Sequence, residues 1–495
     1  MSTTARPAVP NAALYNLRDA AGLTQRELAD ALNEMAAEFG EAPTVDANHV
    51  SRWERGIIAR PRPTHQRMLA RILGVSIEEL GFTRPRHAAA QSSTGDLLDL
   101  AKINGRPVLH DPAVEQSQDE WRSVRRHLNR TRQALAETAR QLYPDAVQLD
   151  ATGLIAPSGW VLDHPIDLDQ VTVSEDFAAE GPTLTGAEPE SGAVRPLATV
   201  LNRFPRYSHA VRQVEHPTLF ENRLSYRLLS YDTTGSAPAM TYGLTTYFDM
   251  VDVCEAAAHE LAATHLSGRG DAPLPASWTR LKFRRLIGDP FDLTRRPVLP
   301  STDTLTIRAS RDGAAFVLHQ RDSSKVALAG GQLHVMPAGV FQPSSIYPAA
   351  QHVDLDLWRN IEREFSEEFL GNPEHNGDGL PADYDAEPLR AFEQARRAGR
   401  IRVHYLGLAL DAVTLAGEIL TVAVFDGPTY DALFAGIVDE NTEGEVLTTG
   451  TAHPTPLIPF AEPIVRQLLD DNRLAPAAAG CLQLAWQHRH QILDL

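Results

Sequence analysis

The chain has 495 residues, of which 43% are hydrophobic and 22% are charged, a composition that is typical of globular proteins and excludes a disordered or collagen-like chain. A chain of this length exceeds one hydrophobic core, so we expect roughly two to four domains. The formal net charge of −18 excludes a protein whose whole surface follows DNA.

The charge is unevenly distributed. Residues 1–90 contain eleven arginines and ten acidic residues, so almost all of the negative charge lies in the remainder. Only the N-terminal region can therefore approach a phosphate backbone at low electrostatic cost. Cys254 and Cys481 lack the spacing of a metal site, and neither a signal-peptide pattern nor a long apolar run is present. We expect two buried thiols in a cytoplasmic protein that makes no membrane contact.

Two short helices are predicted between Leu23 and Gly56. Thr24 and Asp46 are capping residues that can start them. The residues expected to face inward are Leu28, Ala29 and Leu32 on the first helix and Val50 and Trp53 on the second. The polar residues Asn48, His49, Ser51 and Arg52 then face outward, as required of a helix that reads a major groove.

This pattern resembles the Cro/repressor-type helix-turn-helix of the XRE family over about residues 11 to 80, with an all-α fold of five helices ending at Val75–Leu80. Asn33 to Val45 is longer than the family's turn, so we expect a longer second helix and a Gly-Glu-Ala-Pro loop. The resemblance implies a phosphate contact for Gln25, base contacts for Ala47, Asn48 and Arg52, and backbone contacts for Arg60 and Arg62. The alternative is a helical protein-binding module.

Residues 86–148 are predicted to be a linker and a connector helix after a DNA-binding domain at 1–85. The stretch Asp119 to Tyr143 is helical by pattern, and could form a dimer or a spacer. We expect a solvated charged face for its arginines, with DNA contact as the alternative. They are Arg122, Arg125, Arg126, Arg130 and Arg132.

Residues 149–295 are predicted to form an α+β middle region with a helix from about Val251 to His265. Glu255, His259 and Glu260 on that helix suggest a metal site, but the six-residue spacing of His259 and His265 does not place both on one face. A second polar cluster favours structural ion pairing, with a ligand site as the alternative. It comprises Asn222, Arg223, Tyr226 and Arg227.

The C-terminal region, residues 296–495, contains a helix with an apolar stripe at four-residue spacing, formed by Leu357, Ile361, Phe365 and Phe369. Glu364, Glu367 and Glu368 lie on its other side. Three converging carboxylates can hold Mg²⁺ or Mn²⁺. Strands are predicted at about 304–310, 314–320, 332–336, 400–410 and 419–425, followed by a helix at 461–471.

These residues resemble the Nudix family, whose box places Arg-Glu-x-x-Glu-Glu on a helix behind a glycine loop in an α/β/α fold. The resemblance implies ligand-binding roles for Gly339, Arg363, Glu364, Glu367 and Glu368, with Arg363 orienting the glutamates. The loop between Gly339 and Arg363 is longer than the family's and lacks its glutamate. We therefore predict a degenerate domain that senses a nucleotide-like ligand.

Together the two resemblances imply a transcriptional regulator that works as a homodimer on double-stranded DNA and responds to a nucleotide-derived effector. The high arginine and low lysine content resembles that of multidomain XRE regulators of actinobacteria. Two alternatives remain open: a metal-dependent Nudix-type pyrophosphohydrolase directed to DNA, and a protein-interaction or antidote scaffold.

Overall fold

The computed structural model divides the chain into two compact units, unit 1 at residues 1–110 and unit 2 at 111–495. The boundaries placed from the sequence after residues 148 and 295 both fall within unit 2. The structure describes residues 11–21, 23–38, 45–55, 61, 63–73, 75, 80–82, 111–149, 152–215, 217, 220–267, 277–321, 332–373, 379–435, 444–446 and 457–494.

Unit 1 is helical in its described part. Its helices are α1 (Ala12–Ala20), α2 (Gln25–Glu38), α3 (Ala47–Glu54) and α4 (Pro63–Leu73). The 14 residues of α2 agree with the expected long second helix. The Gly-Glu-Ala-Pro loop and most of the predicted fifth helix at Val75–Leu80 lie outside the described residues.

The predicted inner faces of α2 and α3 are confirmed. Leu28, Leu32, Val50 and Trp53 are all buried in one cluster. Thr24 begins α2 in a reciprocal capping box with Glu27, because the Glu27 N–H donates to Thr24 Oγ1 (3.2 Å) and the Thr24 N–H donates to Glu27 Oε2 (2.7 Å). The predicted capping role of Thr24 is therefore confirmed.

Unit 2 contains the remaining helices and all the strands that the structure describes. The helices are α5 (Pro112–Arg130), α6 (Arg132–Arg140), α7 (Tyr207–Ala210), α8 (Tyr247–Met250), α9 (Ala256–Leu266), α10 (Lys282–Ile287), α11 (Pro348–Val353), α12 (Leu357–Glu364), α13 (Leu389–Arg397), α14 (Gly427–Leu433), α15 (Glu462–Leu469), α16 (Pro476–Gln487) and α17 (Arg489–Ile492). Helices α7, α8 and α12 continue as π-helical turns at Val211–Glu215, Val251–Glu255 and Phe365–Phe369, and 3₁₀ turns occur at Leu168–Gln170 and Pro189–Val194.

The strands are β1 (Val147–Leu149), β2 (Leu154–Ala156), β3 (Val161–Asp167), β4 (Thr172–Glu175), β5 (Leu224–Asp232), β6 (Ala239–Thr246), β7 (Pro300–Ser310), β8 (Gly313–Phe316), β9 (Leu318–Arg321), β10 (Leu333–Val335), β11 (Ala338–Val340), β12 (Ile401–Asp411), β13 (Gly417–Asp426), β14 (Gly444–Val446) and β15 (Ile458–Pro459). The main sheet has the order β1-β2-β12-β13-β7-β8-β15, with β3 on β12 and β11 on β7. Within it β13 and β7 are parallel, and Glu418 is paired with Ser301.

Helices cover both faces of the main sheet. Along β13 alternate side chains point to opposite faces, so Leu420 and Phe425 lie on different sides. Gly480 of α16 approaches Leu420, whereas Phe365 beyond α12 packs on Phe425 with ring centroids 5.3 Å apart. Unit 2 is therefore a mixed α/β structure built around a central sheet.

The predicted C-terminal elements are largely confirmed. The predictions for 304–310, 332–336, 400–410, 419–425 and 461–471 correspond to β7, β10, β12, β13 and α15. The single strand predicted at 314–320 is wrong, because this segment forms β8 and β9, which belong to different sheets. The apolar stripe predicted on the helix that carries Glu364, Glu367 and Glu368 is confirmed, since Ile361, Phe365 and Phe369 are all completely buried.

The segment expected to be a solvated connector is part of the unit 2 core. Trp121, Leu128 and Leu135 of α5 and α6 are buried in the same cluster as the sheet. Arg125 is also buried, and the side chain of Arg132 is only 10% exposed. The expectation of a solvated arginine face is therefore wrong for these two residues, although Arg126 and Arg130 are exposed as predicted.

Candidate functional site

The predicted recognition helix α3 has a firmly fixed start. The Asp46 carboxylate accepts the His49 N–H at 2.8 Å, and His49 Nδ1 lies 2.7 Å from Asp46 Oδ1 and 3.3 Å from the Asp46 backbone N. His49 thus completes a capping box at the third helical position. The capping role of Asp46 is confirmed. The His49 side chain takes part in this cap and is half-buried.

The other residues predicted to contact DNA are only partly described by the structure. Arg52 is exposed, and Ala47 and Ser51 are half-buried. The side chain of Asn48, together with Arg60 and Arg62, lies outside the described residues. Among the described positions Arg52 is therefore the most exposed side chain of the predicted recognition face.

A buried polar junction joins α1, α2 and α3. Arg18 Nε donates to Glu54 Oε1 at 2.6 Å, and the Gln25 side-chain amide donates to Glu54 Oε2 at 2.5 Å. Gln25, which the resemblance placed on a DNA phosphate, thus contacts the end of α3 in this structure. Sequence reasoning missed the junction because Arg18 and Glu54 are 36 residues apart.

The second candidate site is a cleft of about 260 Å³ in unit 2. Gly339, Glu364 and Glu367 line it, so the structure brings together three of the five residues that the Nudix resemblance implied. Gly339 on β11 lies so close to the Glu364 carboxylate that a Cβ atom there would overlap it. The strand and the helix therefore approach each other at a position that only glycine permits with this Glu364 conformation.

Arg363 and Glu368, the other two residues implied by the resemblance, form hydrogen bonds within the protein and do not line the cleft. Arg363 donates to the Tyr384 hydroxyl and the Gln342 carbonyl, both at 2.6 Å, and it lies 2.9 Å from Asn360 Oδ1. The hydrogen-bond partners of Arg363 thus come from the long insertion, from its own helix and from the segment after that helix. Glu368 Oε1 accepts the Ala338 N–H at 3.2 Å.

The described residues contain no group of three or more His, Cys, Asp or Glu side chains arranged to hold a metal ion. Glu364, Glu367 and Glu368 therefore do not form the converging set that the sequence predicted. The cause is local: Glu367 and Glu368 lie on the π-helical turn, which changes the directions of successive side chains relative to an α-helix, and Glu368 turns toward β11.

The inner wall of the cleft contains a pair of acidic groups that the sequence analysis missed. Ser301 Oγ lies 2.9 Å from Asp303 Oδ2 and 2.5 Å from Glu418 Oε2. Burial, together with the neighbouring Asp303 carboxylate, raises the pKa of Glu418 well above its usual range. A hydroxyl has one proton, so a protonated Glu418 that donates to Ser301, which donates to Asp303, satisfies this arrangement.

Two arginines from the α5–α6 region also reach the cleft wall. Arg132 Nη2 donates to Asp411 Oδ2 at 2.9 Å, and Arg125 lies 3.5 Å from Glu255 Oε2. Burial raises the pKa of the Glu255 carboxyl, and Arg125 and Arg132 oppose this shift. The segment predicted to be a connector therefore supplies counter-charges to the site.

The four residues of the second polar cluster, Asn222, Arg223, Tyr226 and Arg227, make separate contacts. Arg223 lines the cleft and lies 3.5 Å from Glu221 Oε2. Asn222 accepts the Phe248 N–H at 2.8 Å, and Arg227 donates to the Glu180 carbonyl at 2.9 Å. The Tyr226 hydroxyl donates to the Gln351 carbonyl at 2.8 Å.

The three residues of the α9 region that suggested a metal site, Glu255, His259 and Glu260, have different contacts. Glu255 faces the cleft, whereas His259 Nδ1 lies 3.0 Å from the Tyr207 hydroxyl. Glu260 accepts the N–H groups of Phe283 and Arg284 at 2.8 and 2.9 Å. The three side chains thus have three different environments.

Comparison with known families gives a match within unit 1. Residues 14–83 match the family described as the SP15 N-terminal domain, and the matched segment includes α2, α3 and α4. No curated protein matches the chain. Among the described helices, none is sufficiently long and apolar to cross a membrane.

Proposed function

We propose that this protein is a transcriptional regulator in which unit 1 binds double-stranded DNA through α3 and unit 2 binds a small ligand in the cleft. One observation carries the DNA-binding part: α3 is capped by Asp46, is packed through Val50 and Trp53, and leaves Arg52 exposed. A helix held in this way matches the requirements of major-groove reading. The proposal includes a dimer on an inverted repeat.

The ligand-binding part is supported by the position of the box residues. Glu364 and Glu367 face the cleft beside Gly339, and helices lie on both sides of the sheet, as a Nudix-like domain would require. Arg363 and Glu368 are engaged in hydrogen bonds within the protein, which favours binding of the ligand over its hydrolysis. We therefore propose a degenerate Nudix-like domain, and the nucleotide-derived effector stays a prediction.

The DNA-binding test is selection from pooled oligonucleotides with the full-length protein, followed by titration of the selected site. We expect a palindromic motif and a loss of affinity in Arg52→Ala of about 1–3 kcal/mol, the usual value of a bidentate base contact. Arg397→Ala, which removes an exposed arginine of α13, serves as the control and should bind normally. Failure to select any motif would remove the DNA-binding proposal.

The hydrolase alternative is favoured by the two glutamates that line the cleft. It predicts turnover of ADP-ribose or nucleotide sugars with Mg²⁺ that is lost in Glu364→Gln and Glu367→Gln. Product release by the wild type, absent in both variants, would move this alternative to first place.

A further inference from the structure

A tight turn in unit 2 carries the two most exposed large apolar side chains that the structure describes. The turn is closed by the Asn202 N–H, which donates to the Thr199 carbonyl at 3.3 Å. Val200 and Leu201 occupy its two central positions and are 61% and 89% exposed. Such positions usually carry Gly, Pro, Asn, Asp or Ser, so the needs of the turn do not explain an adjacent valine and leucine. Exposed apolar groups of this kind mark interaction sites.

The hairpin that presents this turn, residues 197–203, is fixed to α5. The Leu197 N–H donates to Ser117 Oγ at 3.0 Å, and the Leu197 carbonyl accepts the Gln118 side-chain amide at 3.0 Å. At the other end Arg203 pairs with Leu197 across the hairpin and donates to the Arg195 carbonyl at 2.5 Å. The apolar tip is therefore held in place before it meets a partner, which lowers the entropic cost of binding.

An open groove of about 700 Å³ lies between α5 and the end of α9. Its apolar lining includes Val124, Ala263 and Leu266, and Leu266 is itself 45% exposed. Neither Val200 nor Leu201 lines this groove in its own chain. Unit 2 thus has an apolar tip and an apolar groove that do not fill each other within one copy.

The tip and the groove carry opposite charges. Arg203 beside the tip is exposed, and it donates to a backbone carbonyl, which is a neutral partner. Glu120 lines the groove and accepts the neutral Gln116 amide at 2.8 Å. Asp119 also lines the groove, but it already pairs with Arg122 at 2.6 Å. Arg203 and Glu120 therefore offer one complementary ion pair between two copies.

Resting on the dimer that the proposed function includes, we propose that unit 2 dimerises by placing the Val200–Leu201 tip of each copy in the α5–α9 groove of the other. The two surfaces are neighbours, because Gln118 holds the hairpin and Gln116 lines the groove on the same turn of α5. A twofold axis beside this turn forms both contacts at once, as an isologous interface requires.

The test is sedimentation equilibrium of the full-length protein, without DNA, over a range of concentrations. We expect a dimer whose dissociation constant rises at least about hundredfold in Leu201→Asp, roughly tenfold for each of two identical contacts, because a carboxylate at the tip cannot enter an apolar groove at low cost. Leu266→Asp alters the groove and should have the same effect. Leu380→Asp is the matched control, since Leu380 is also an exposed leucine and does not line the groove.

Charge reversal tests whether Arg203 and Glu120 meet between copies. Arg203→Glu and Glu120→Arg each place like charges at both contacts, so each variant should be monomeric where the wild type is a dimer. An equal mixture of the two variants should form a heterodimer, since both contacts then join opposite charges. A hairpin that had merely lost its structure in Arg203→Glu would not be rescued by mixing.

A monomeric wild type would overturn the inference and leave the groove to another segment of this chain or to another protein. Unchanged dimerisation in Leu201→Asp and Leu266→Asp, or a mixture of the charge variants that stays monomeric, would overturn it as well. A dimer that selects no DNA motif would keep the inference and remove only the DNA-binding proposal, whereas a monomer that selects a motif would do the reverse.

Discussion

The Asn33 side chain forms hydrogen bonds with both the N–H and the carbonyl of Val45, which lies just before α3. Its Nδ2 donates to the Val45 carbonyl at 2.6 Å, and its Oδ1 accepts the Val45 N–H at 3.0 Å. One side chain therefore fixes the distance between the end of the buried part of α2 and the start of α3. This contact holds the start of α3 against α2.

Asn33→Ala should loosen α3, because the two buried backbone groups of Val45 lose their partner. We expect a destabilisation of unit 1 of about 1–3 kcal/mol, the usual cost of such lost hydrogen bonds. Hydrogen exchange of the full-length protein, followed by mass spectrometry, should show faster exchange in peptides of α2 and α3 and unchanged exchange in unit 2. Uniform exchange in wild type and variant would contradict the role of this contact.

The junction of Arg18, Gln25 and Glu54 gives a second prediction. Glu54→Gln leaves the Arg18 guanidinium buried without its carboxylate, which costs about 3–5 kcal/mol in comparable buried pairs. The double variant Arg18→Met with Glu54→Leu replaces both charges by apolar groups and should recover most of this loss. Hydrogen exchange of peptides from α1 and α3 in the full-length protein measures both changes. A double variant as unstable as the single one would argue against a buried charge as the cause.

The buried carboxyl group of Glu362 on α12 predicts that the free energy of unfolding of unit 2 depends on pH. Burial, with Glu393 and Asp356 nearby, raises the pKa of its carboxyl from 4.5 to about 9. Between pH 4.5 and about 9 the folded state therefore keeps a proton on Glu362 that the unfolded chain has released. The stabilising contribution of Glu362 is complete below pH 4.5 and is lost as the pH rises to about 9.

Glu362→Gln keeps the shape of the protonated form and should flatten this dependence. Urea unfolding at pH 6 and pH 9 should show a smaller loss of stability in the variant than in the wild type. Glu387→Gln, an exposed carboxylate paired with Arg390, is the control and should follow the wild type. Parallel curves for all three proteins would contradict the raised pKa.

Gly339→Ala tests the close approach of β11 and α12. The atoms that a Cβ would meet belong to the end of the flexible Glu364 side chain, so the carboxylate can turn away at small cost. We expect a change in unfolding free energy of less than about 1.5 kcal/mol and a displaced Glu364 carboxylate in the crystal structure of the variant. An unmoved Glu364 with a shifted strand would show that the backbone, not the side chain, absorbs the overlap.

Local patterns in the sequence were sufficient for several elements. The Thr24 and Asp46 caps and the apolar stripe of Ile361, Phe365 and Phe369 depend on neighbours within one or two helical turns, and the structure confirms them. Periodicity also located β7, β12 and β13, because their buried apolar runs are long.

The candidate site depends on distant pairs that periodicity does not report. Arg132 and its partner Asp411 are separated by 279 residues, and Ser301 and Glu418 by 117. In the sequence Arg132 is one of several surface-like arginines, and Glu418 follows a glycine at a strand start. Only strand order and register show that these residues share one wall of a cleft.

The strand order of the main sheet also constrains biosynthesis. β2 and β3 pair with β12, and β7 pairs with β13, so the early strands of unit 2 lack these neighbours until residues 401–426 have been made. Unit 1 draws its core from residues 14–80 and can fold early, while the main sheet of unit 2 stays incomplete on the ribosome during most of its synthesis. A nascent chain stalled before β12 would therefore carry a folded unit 1 and an aggregation-prone remainder, making unit 2 the part that depends on chaperones.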